Sequence, residues 1–162
     1  MLTKIVSGGQ TGVDRGALDA ALEAGFSCGG WCPEGRQAED GEIPARYPVT
    51  VLAGAGYRQR TRQNVMDSDG TLIIHFGELA GGTRETLRFC ERLGKPALTV
   101  DGAVTPVEAA AARAVGFIAQ HRIGVLNVAG PRESTYKGAG EYGKRVVSAI
   151  LAVSGAANSS AA

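Results

Sequence analysis

The stretch Ser7-Gly8-Gly9-Gln10-Thr11-Gly12-Val13-Asp14-Arg15 decides the fold that this sequence predicts. A short apolar segment at 5–6 precedes it and an amphipathic segment at 16–25 follows it, so the glycines stand where a strand turns sharply into a helix. Glycine permits positive φ and close backbone approach, and the first N–H groups of a helix attract anions. The pattern therefore predicts a phosphate-binding loop.

The loop matches neither of the two common phosphate-binding fingerprints. The full G-x-G-x-x-G spacing is missing, and so is the G-x-x-x-x-G-K-[ST] pattern with its lysine. Their absence argues against ordinary dinucleotide binding and magnesium-ATP hydrolysis as the function of this chain. A turn that is rich in glycine only because the packing is tight is the structural alternative.

The composition is that of an ordinary globular protein. The chain has 162 residues, 44% of them hydrophobic, and a formal net charge of +1. This length suits one domain, and the small charge gives no broad attraction to nucleic acid. No apolar run approaches the ~20 residues of a membrane span. We expect a cytoplasmic protein that binds neither nucleic acid nor membrane, with one domain at 1–153 and a flexible tail at 154–162.

The cysteines and histidines give no sign of a disulfide framework or a zinc site. Cys28, Cys32 and Cys90 contain no C-x-x-C pair. His75 and His121 are far from them in sequence. We therefore expect the chain to supply no metal ligands.

Strands and helices alternate along the whole chain. Helical periodicity separates the predicted strands, which lie at 4–7, 26–28, 49–52, 71–76, 97–100 and 123–128. Such alternation implies right-handed βαβ crossovers and a mostly parallel sheet with helices on both faces. The predicted fold class is α/β, a single-domain three-layer sandwich whose loops after the strands open on one edge.

Two charged residues begin the first helix. Asp14 suits the positive end of the helix dipole, so capping and ligand contact are equally good roles for it. Arg15 is poorly placed for the dipole and is the better ligand candidate. Helical spacing predicts the buried face at Leu18, Ala21, Leu22 and Gly25.

The segment 29–44 has neither helical nor strand periodicity. A loop of that length is usually functional or disordered, and the only tryptophan of the chain argues against disorder. An aromatic wall, a planar cation and acceptors for a heterocyclic ligand are offered by Trp31, Arg36, Glu39 and Asp40. Two alternatives stay open: Trp31 as a core anchor under the loop, and the acidic residues as a solvated charge run.

The segment 57–68 predicts a weakly apolar helix with arginines at alternate positions. At about 100° per residue, Arg58, Arg60 and Arg62 cannot all face the same way. We predict that Arg60 and Asn64, which are one turn apart, face a site. A plain surface helix is the alternative.

Two further loops follow predicted strands. A second glycine-rich turn after 71–76 contains Gly81, Gly82, Thr83 and Arg84, and a third loop after 123–128 contains Arg132 and Ser134. Because the carboxyl ends of parallel strands open on one edge of a sheet, we expect all three loops to meet around one ligand.

The two glycine-rich turns are predicted to hold a phosphate together. Arg15 and Arg84 would neutralise it, and Arg132 and Ser134 would close the rim. Backbone amides would come from Gly8, Gly9, Gln10, Thr11, Gly12, Gly81, Gly82 and Thr83. Alanine or aspartate at Gly9 or Gly82 is expected to weaken binding by blocking close approach to the backbone, without unfolding the domain.

Five stretches, in order, carry a family resemblance: SGGQTGVDRGALDAAL, GGWCPEGRQAEDGEIPARYP, YRQRTRQNVMDSDGTLII, AGGTRETL and LNVAGPRES. With them the chain resembles the molybdenum-cofactor carrier family over nearly all of residues 4–153. That family is similar to a branch of the Rossmann-like superfamily. The same superfamily includes the cytokinin-activating nucleoside-monophosphate phosphoribohydrolases, once called lysine decarboxylases.

The resemblance implies a Rossmann-like fold, a homodimer or homotetramer, and a pocket for a small phosphorylated, nucleotide-like molecule. Molybdopterin fits that description because it has a fused pterin and a terminal phosphate. The leading expectation is therefore carriage or storage of the molybdenum cofactor. A nucleotide sensor is a second interpretation of the same pocket.

The phosphoribohydrolases carry G-G-x-G-T-x-x-E, in which a glutamate three residues after the threonine attends the glycosidic bond. Here Thr86 stands at that distance from Thr83, and Glu85 is one residue early. On a helix this is a rotation of about 100°. The resemblance therefore implies binding rather than catalysis. An enzyme that cleaves a ribosyl bond, with Glu39, Asp40 or Glu85 as its carboxylate, is the alternative.

Overall fold

The computed structural model describes the backbone of residues 1–160 and the side chains of residues 1–155. The predicted flexible tail at 154–162 begins inside the last helix, Ala139–Ser160. It ends with Ala161 and Ala162, which lie outside the described residues, so the tail stays a prediction.

The strands are β1 (Lys4–Val6), β2 (Cys28–Gly29), β3 (Trp31–Cys32), β4 (Gln37–Ala38), β5 (Gly41–Glu42), β6 (Thr50–Val51), β7 (Gly70–His75), β8 (Ala97–Asp101) and β9 (Val125–Ala129). The helices are α1 (Val13–Glu23), α2 (Tyr57–Met66), α3 (Gly81–Leu93), α4 (Val107–His121) and α5 (Ala139–Ser160).

Five parallel strands form the central sheet, in the order β2-β1-β9-β7-β8. The predicted α/β fold with a parallel sheet is confirmed. If β9 is moved to the front of the chain, this order becomes 3-2-1-4-5, which is the strand order of the Rossmann fold. The chain therefore has a Rossmann arrangement whose first strand comes last in the sequence.

The strand order reverses between β9 and β7. On one side of this point the sheet continues through β1 to β2, and on the other side it continues to β8. The two strands at the reversal are paired in register, with Asn127 opposite Thr71. Ligands of open α/β sheets bind in the crevice outside the carboxyl ends of the strands at such a point.

Strand β7 shows why the sheet has helices on both faces. Leu72 and Ile74 point into the core that α1, α4 and α5 cover. Ile73, on the opposite face, packs with Val65 of α2 and Phe89 of α3. A strand buried on both faces needs a continuous apolar run rather than an alternating one.

The first helix begins at Val13, one residue before the predicted pair Asp14 and Arg15, and only part of its predicted face points inward. It starts at Val13 because Gly12, with φ 82°, completes the turn before it. Leu22 is 37% exposed, and Gly25 lies beyond the helix end with φ 62°, so half of the predicted buried face is wrong. The inward face includes Gly16, which packs closely on α5: a Cβ at Gly16 would lie 2.2 Å from the carbonyl oxygen of Gly140.

The segment 29–44 is ordered by short elements rather than irregular. A short turn at Glu34–Arg36, in which Gly35 and Arg36 have φ 73° and 53°, leads into the antiparallel hairpin of β4 and β5. Strand β3 pairs with β6. Arg36 fastens the segment, since its guanidinium donates to carbonyl oxygens of Ile43 and Val49, both at 3.0 Å, and of Pro44 at 2.9 Å and Tyr47 at 3.1 Å. Periodicity does not reveal such order, because very short strands and one side chain that bonds distant backbone provide it.

The contact between α1 and α5 gives a test of the packing. Gly16→Ala should lower the free energy of unfolding by about 2 kcal/mol, because the new methyl group overlaps the Gly140 carbonyl. The matched control is Gly116→Ala in α4, where a Cβ meets nothing within 4 Å. Helix propensity should make the control slightly stabilising. Urea unfolding of both variants measures the difference, and equal effects would contradict the close packing.

Candidate functional site

A cavity of about 450 Å³ opens at the switch point between β9 and β7. Its wall contains residues from the loops after β1, β7 and β9, and from α2. They are Gly8, Gln10, Asp14, Tyr57, Arg58, Arg60, Thr61, Asn64, Ala80, Gly81, Gly82, Thr83, Glu85, Thr86, Asn127, Val128, Ala129, Gly130, Pro131, Arg132 and Thr135. The three loops that the sequence placed on one edge therefore meet around one space.

A buried ion pair forms part of the wall. Arg60 Nη1 donates to Asp14 Oδ2 at 3.1 Å, and the two side chains are 10% and 7% exposed. Burial raises the pKa of Asp14, and the charge of Arg60 opposes that rise. Arg60 Nε has no hydrogen-bond partner within the described residues. The wall thus holds a guanidinium that Asp14 fixes in place.

Gly8 is required by this ion pair. A Cβ at Gly8 would lie 1.5 Å from Arg60 Nη1 and 3.0 Å from Asp14 Oδ2. The missing side chain lets the guanidinium lie directly against the backbone after β1. Close approach at Gly8 therefore serves a side chain of the protein itself.

Several amides of the first glycine-rich turn already donate within the protein. The N–H of Gln10 donates to Asp14 Oδ2 at 3.4 Å, and the N–H of Thr11 donates to Gln10 Oε1 at 3.0 Å. The N–H of Val13 donates to the Pro131 carbonyl at 3.2 Å. Asp14 thus supplies the negative charge that the amino terminus of α1 attracts.

The other glycines of that turn face neighbouring loops. A Cβ at Gly12 would lie 2.2 Å from the Pro131 carbonyl oxygen, and one at Gly9 would lie 3.0 Å from Ile43 Cδ1. Gly9 also has φ 78°. Alanine at Gly9 would therefore strain the fold, so the expectation that it leaves the domain intact is corrected. A phosphate role for this turn stays a prediction.

The amino terminus of α3 is open to the cavity. Gly81 and Gly82 lie on the wall, and a Cβ at either residue would meet nothing within 4 Å. The first N–H groups of a helix have no partner inside the helix. This turn therefore offers an anion unhindered backbone donors at the positive end of a helix.

The tip of the β4-β5 hairpin covers the first turn from outside. The Glu39 carboxylate accepts from the hydroxyls of Thr11 and Ser134 and from the N–H of Ser134 at 3.3 Å. The N–H of Glu39 donates to Gln10 Oε1 at 2.9 Å. Hydrogen bonds from Ser134 and Thr11 lower the pKa of Glu39. These residues join three loops to each other.

Arg15 is held in the same outer layer. Its Nη2 donates to Asp40 Oδ1 at 2.7 Å, and its Nε donates to the Gly9 carbonyl at 3.0 Å. The Arg15 hydrogen bond lowers the pKa of Asp40. Both side chains thus have partners outside the cavity wall.

Trp31 joins the loop to α2. Its backbone N–H donates to Asn64 Oδ1 at 2.8 Å, and Asn64 Nδ2 donates to the backbone carbonyl of Trp31 at 3.0 Å. The indole Nε1 donates to Asp67 Oδ2 at 2.7 Å. Asn64 reaches the cavity wall while its amide positions Trp31.

The predicted site residues fall into two groups. Those on the cavity wall are Gly8, Gln10, Asp14, Arg60, Asn64, Gly81, Gly82, Thr83 and Arg132. Those outside the wall are Gly9, Thr11, Gly12, Arg15, Trp31, Arg36, Glu39, Asp40, Arg84 and Ser134. Their roles toward a ligand stay predictions.

The wall also holds polar residues that sequence reasoning did not assign to the site, namely Tyr57, Arg58, Thr61, Asn127 and Thr135. Arg58 lies on the wall together with Arg60, although helical spacing predicted only Arg60 and Asn64 to face a site. Tyr57 and Asn127 are the most informative of them. Tyr57 lies under Arg132, whose guanidinium carbon is 4.8 Å from the ring centroid. Asn127 is buried in the middle of β9, and its Nδ2 donates to Thr71 Oγ1 at 3.3 Å. Tyr57 shares the helical face of Arg60, and Asn127 is a lone amide in an apolar strand. Both signals could have been found.

Two residues of α3 bear on hydrolysis. Thr86 is buried and donates its hydroxyl to the Gly82 carbonyl at 2.9 Å. Glu85 lies on the wall and accepts from Arg58 Nε at 2.8 Å, which lowers the pKa of Glu85. A general acid works best with a pKa raised toward the working pH, and the Glu85 shift has the opposite sign.

Two further features concern metals and membranes. Among the described residues, no three His, Cys, Asp or Glu side chains are grouped to hold a metal ion. No helix in the described part of the chain has the length and apolar character needed to cross a membrane.

A family model described as the "Circularly permutated YpsA SLOG family" matches residues 5–151. The chain belongs to this family. The position of β9, central in the sheet but last in the chain, agrees with a permuted Rossmann order.

The chain is similar to a crystal structure solved at 1.45 Å resolution, the "Putative molybdenum carrier protein" from Syntrophus aciditrophicus SB. The TM-score is 0.90 and the sequence identity 42%, over 93% of this chain and 95% of that chain. The resemblance recognised in the sequence is confirmed. A search of curated proteins finds no match.

The dependence of Gly8 on Arg60 can be tested with a double-mutant cycle. Gly8→Ala should destabilise the fold by about 3 kcal/mol, because its methyl group displaces Arg60 and leaves Asp14 buried without its partner. In an Arg60→Ala background the same change should cost much less. Urea unfolding of the four proteins measures the coupling. Additive costs would show that something other than Arg60 constrains Gly8.

Proposed function

We propose that the chain is a binding protein for a small phosphorylated, nucleotide-like molecule, which it holds in the cavity at the switch point. The observation that carries the proposal is the amino terminus of α3, where two glycines without neighbouring atoms open onto the cavity. Membership of a SLOG family and the likeness to a protein named as a molybdenum carrier support the same function.

The phosphate would lie against Gly81, Gly82 and Thr83. The free N–H groups there point along the helix axis, and the helix dipole favours a negative charge. Arg60 also lies on the wall, where its guanidinium, paired with Asp14, is a second cationic group at a fixed position. In this proposal the first glycine-rich turn shapes the wall and α3 holds the phosphate.

The heterocycle would lie near Tyr57, Arg132 and Asn127. A tyrosine ring and a guanidinium plane are both suited to stacking on a flat ring system. The Asn127 amide bonds Thr71 through Nδ2, which leaves Oδ1 to accept from a donor on the ring edge. The cavity volume, about 450 Å³, lies in the ordinary range of ligand pockets.

The molybdenum cofactor is the ligand that we propose first. It combines a pterin, which is flat and rich in hydrogen-bonding groups, with a phosphate. Molybdenum would stay on the dithiolene of the cofactor, so the chain would contact only the organic part. Carriage or storage of this cofactor is the proposed role. Sensing of ordinary nucleotides is the alternative role whose ligand is chemically most similar.

Titration calorimetry with molybdopterin, AMP and GMP tests the proposal. Gly82→Asp should weaken binding at least about ten-fold, because its carboxylate repels the phosphate at the place where Gly82 is open. An acidic residue in the first turn of a helix should not lower stability. The matched control is Gly116→Asp, which adds the same charge on α4, away from the cavity. Unchanged affinity in Gly82→Asp would remove α3 from the site.

A ribosyl hydrolase is the second candidate because Glu85 lies on the cavity wall. Chromatography of the protein incubated with nucleoside monophosphates would then show free base. Glu85→Gln should abolish that release if Glu85 is the carboxylate. Saturable binding without release of base in the native protein would decide for the binding function.

A further inference from the structure

A second cavity, of about 340 Å³, lies between α2 and α3. We name it the α2-α3 groove, and its lining residues are Arg58, Gln59, Arg62, Phe89, Arg92 and Leu93. Arg58 lines both this groove and the first cavity. The two spaces are therefore neighbours that share one side chain.

The groove lies in a strongly cationic surface. Helices α2 and α3 carry exposed arginines at Arg58, Arg62, Arg84, Arg88 and Arg92, against acidic residues only at Glu85 and Glu91. The net positive charge of these two helices exceeds that of the whole chain, which is +1. Such a concentration of charge beside a cavity favours an anionic occupant.

The floor of the groove is apolar. Phe89 is buried at its base, and the guanidinium carbon of Arg58 lies 5.5 Å from the Phe89 ring centroid. Leu93 packs partly buried against the same cluster. Arginine forks bind phosphate, and guanidinium planes and apolar floors accept flat rings. The groove therefore has the chemistry needed for one half of a nucleotide.

An ion pair separates the groove from the first cavity. Arg58 Nε and Glu85 Oε1 are 2.8 Å apart, and the Arg58 side chain is largely exposed. Exposed ion pairs contribute little to stability. A phosphate can therefore compete with Glu85 for Arg58, and Glu85 keeps Arg88, whose Nη1 lies 3.9 Å from Glu85 Oε2, as a cationic neighbour.

We propose that the α2-α3 groove is a second compartment of the ligand site. It takes the outer nucleotide half of a ligand whose two phosphates span Arg58, while the inner half occupies the first cavity. This inference rests on the proposed function and adds dinucleotides to the ligands of the same site. Recognition by arginines needs no G-x-G-x-x-G loop, so the missing fingerprint does not count against it.

The test compares AMP with diadenosine pyrophosphate by titration calorimetry. The native chain should bind the dinucleotide about ten-fold more tightly than AMP, because the second half adds charge-assisted contacts. The double variant Arg62→Gln, Arg92→Gln should lose most of that gain and keep its affinity for AMP, since neither residue lines the first cavity. Arg113→Gln, which removes an exposed arginine from α4, is the matched control and should change neither affinity.

Each outcome decides between the two proposals. If the chain binds AMP but binds the dinucleotide no more tightly, only the groove proposal is overturned. The same holds if the higher affinity for the dinucleotide persists in the double variant. If the native chain binds molybdopterin but neither of these two probes, the groove proposal falls and the proposed function stands. If it binds none of the three, both proposals fall. If the dinucleotide binds no more tightly than AMP but a polyglutamate peptide binds and loses affinity in the double variant, the groove is a protein-docking surface and the inference is refuted.

Discussion

The buried ion pair of Asp14 and Arg60 is the interaction on which the site depends. It joins the start of α1 to α2 across 46 positions of sequence. Two charges removed from water are stable only when paired and hydrogen-bonded. This constraint explains why residue 8 has no side chain, why the amide of Gln10 turns toward Asp14, and why α2 lies against the carboxyl edge of the sheet.

Because of the same ion pair, the two glycine-rich turns have different roles. After β1, the negative charge that a helix terminus attracts comes from Asp14, and the hairpin tip closes the turn through Glu39. After β7, the amino terminus of α3 has no such covering side chain at Gly81 and Gly82. One turn therefore builds the wall, and the other is available for an anion.

Regular patterns predicted much of this arrangement. The continuous run Leu72-Ile73-Ile74 indicates a strand buried on both faces, and the one-turn spacing of Arg60 and Asn64 predicts that they share a face. Contacts made by one side chain to distant backbone, such as the bonds of Arg36, leave no periodic signal. Nor can sequence distinguish a glycine that admits a ligand from one, like Gly8, that admits an arginine.

The central position of β9 has a consequence for how the chain acquires its structure. β9 pairs with both β1 and β7, so the pairs β2-β1 and β7-β8 have no direct hydrogen-bonded connection until it inserts. During synthesis one edge of each half-sheet stays without its hydrogen-bonding partner until β9, which ends at Ala129, has been made. Sheets completed by such distant pairings form slowly. Assembly of the ligand cavity should accordingly be one of the last events of folding, because the loops around it come together only when β9 has paired with both β1 and β7.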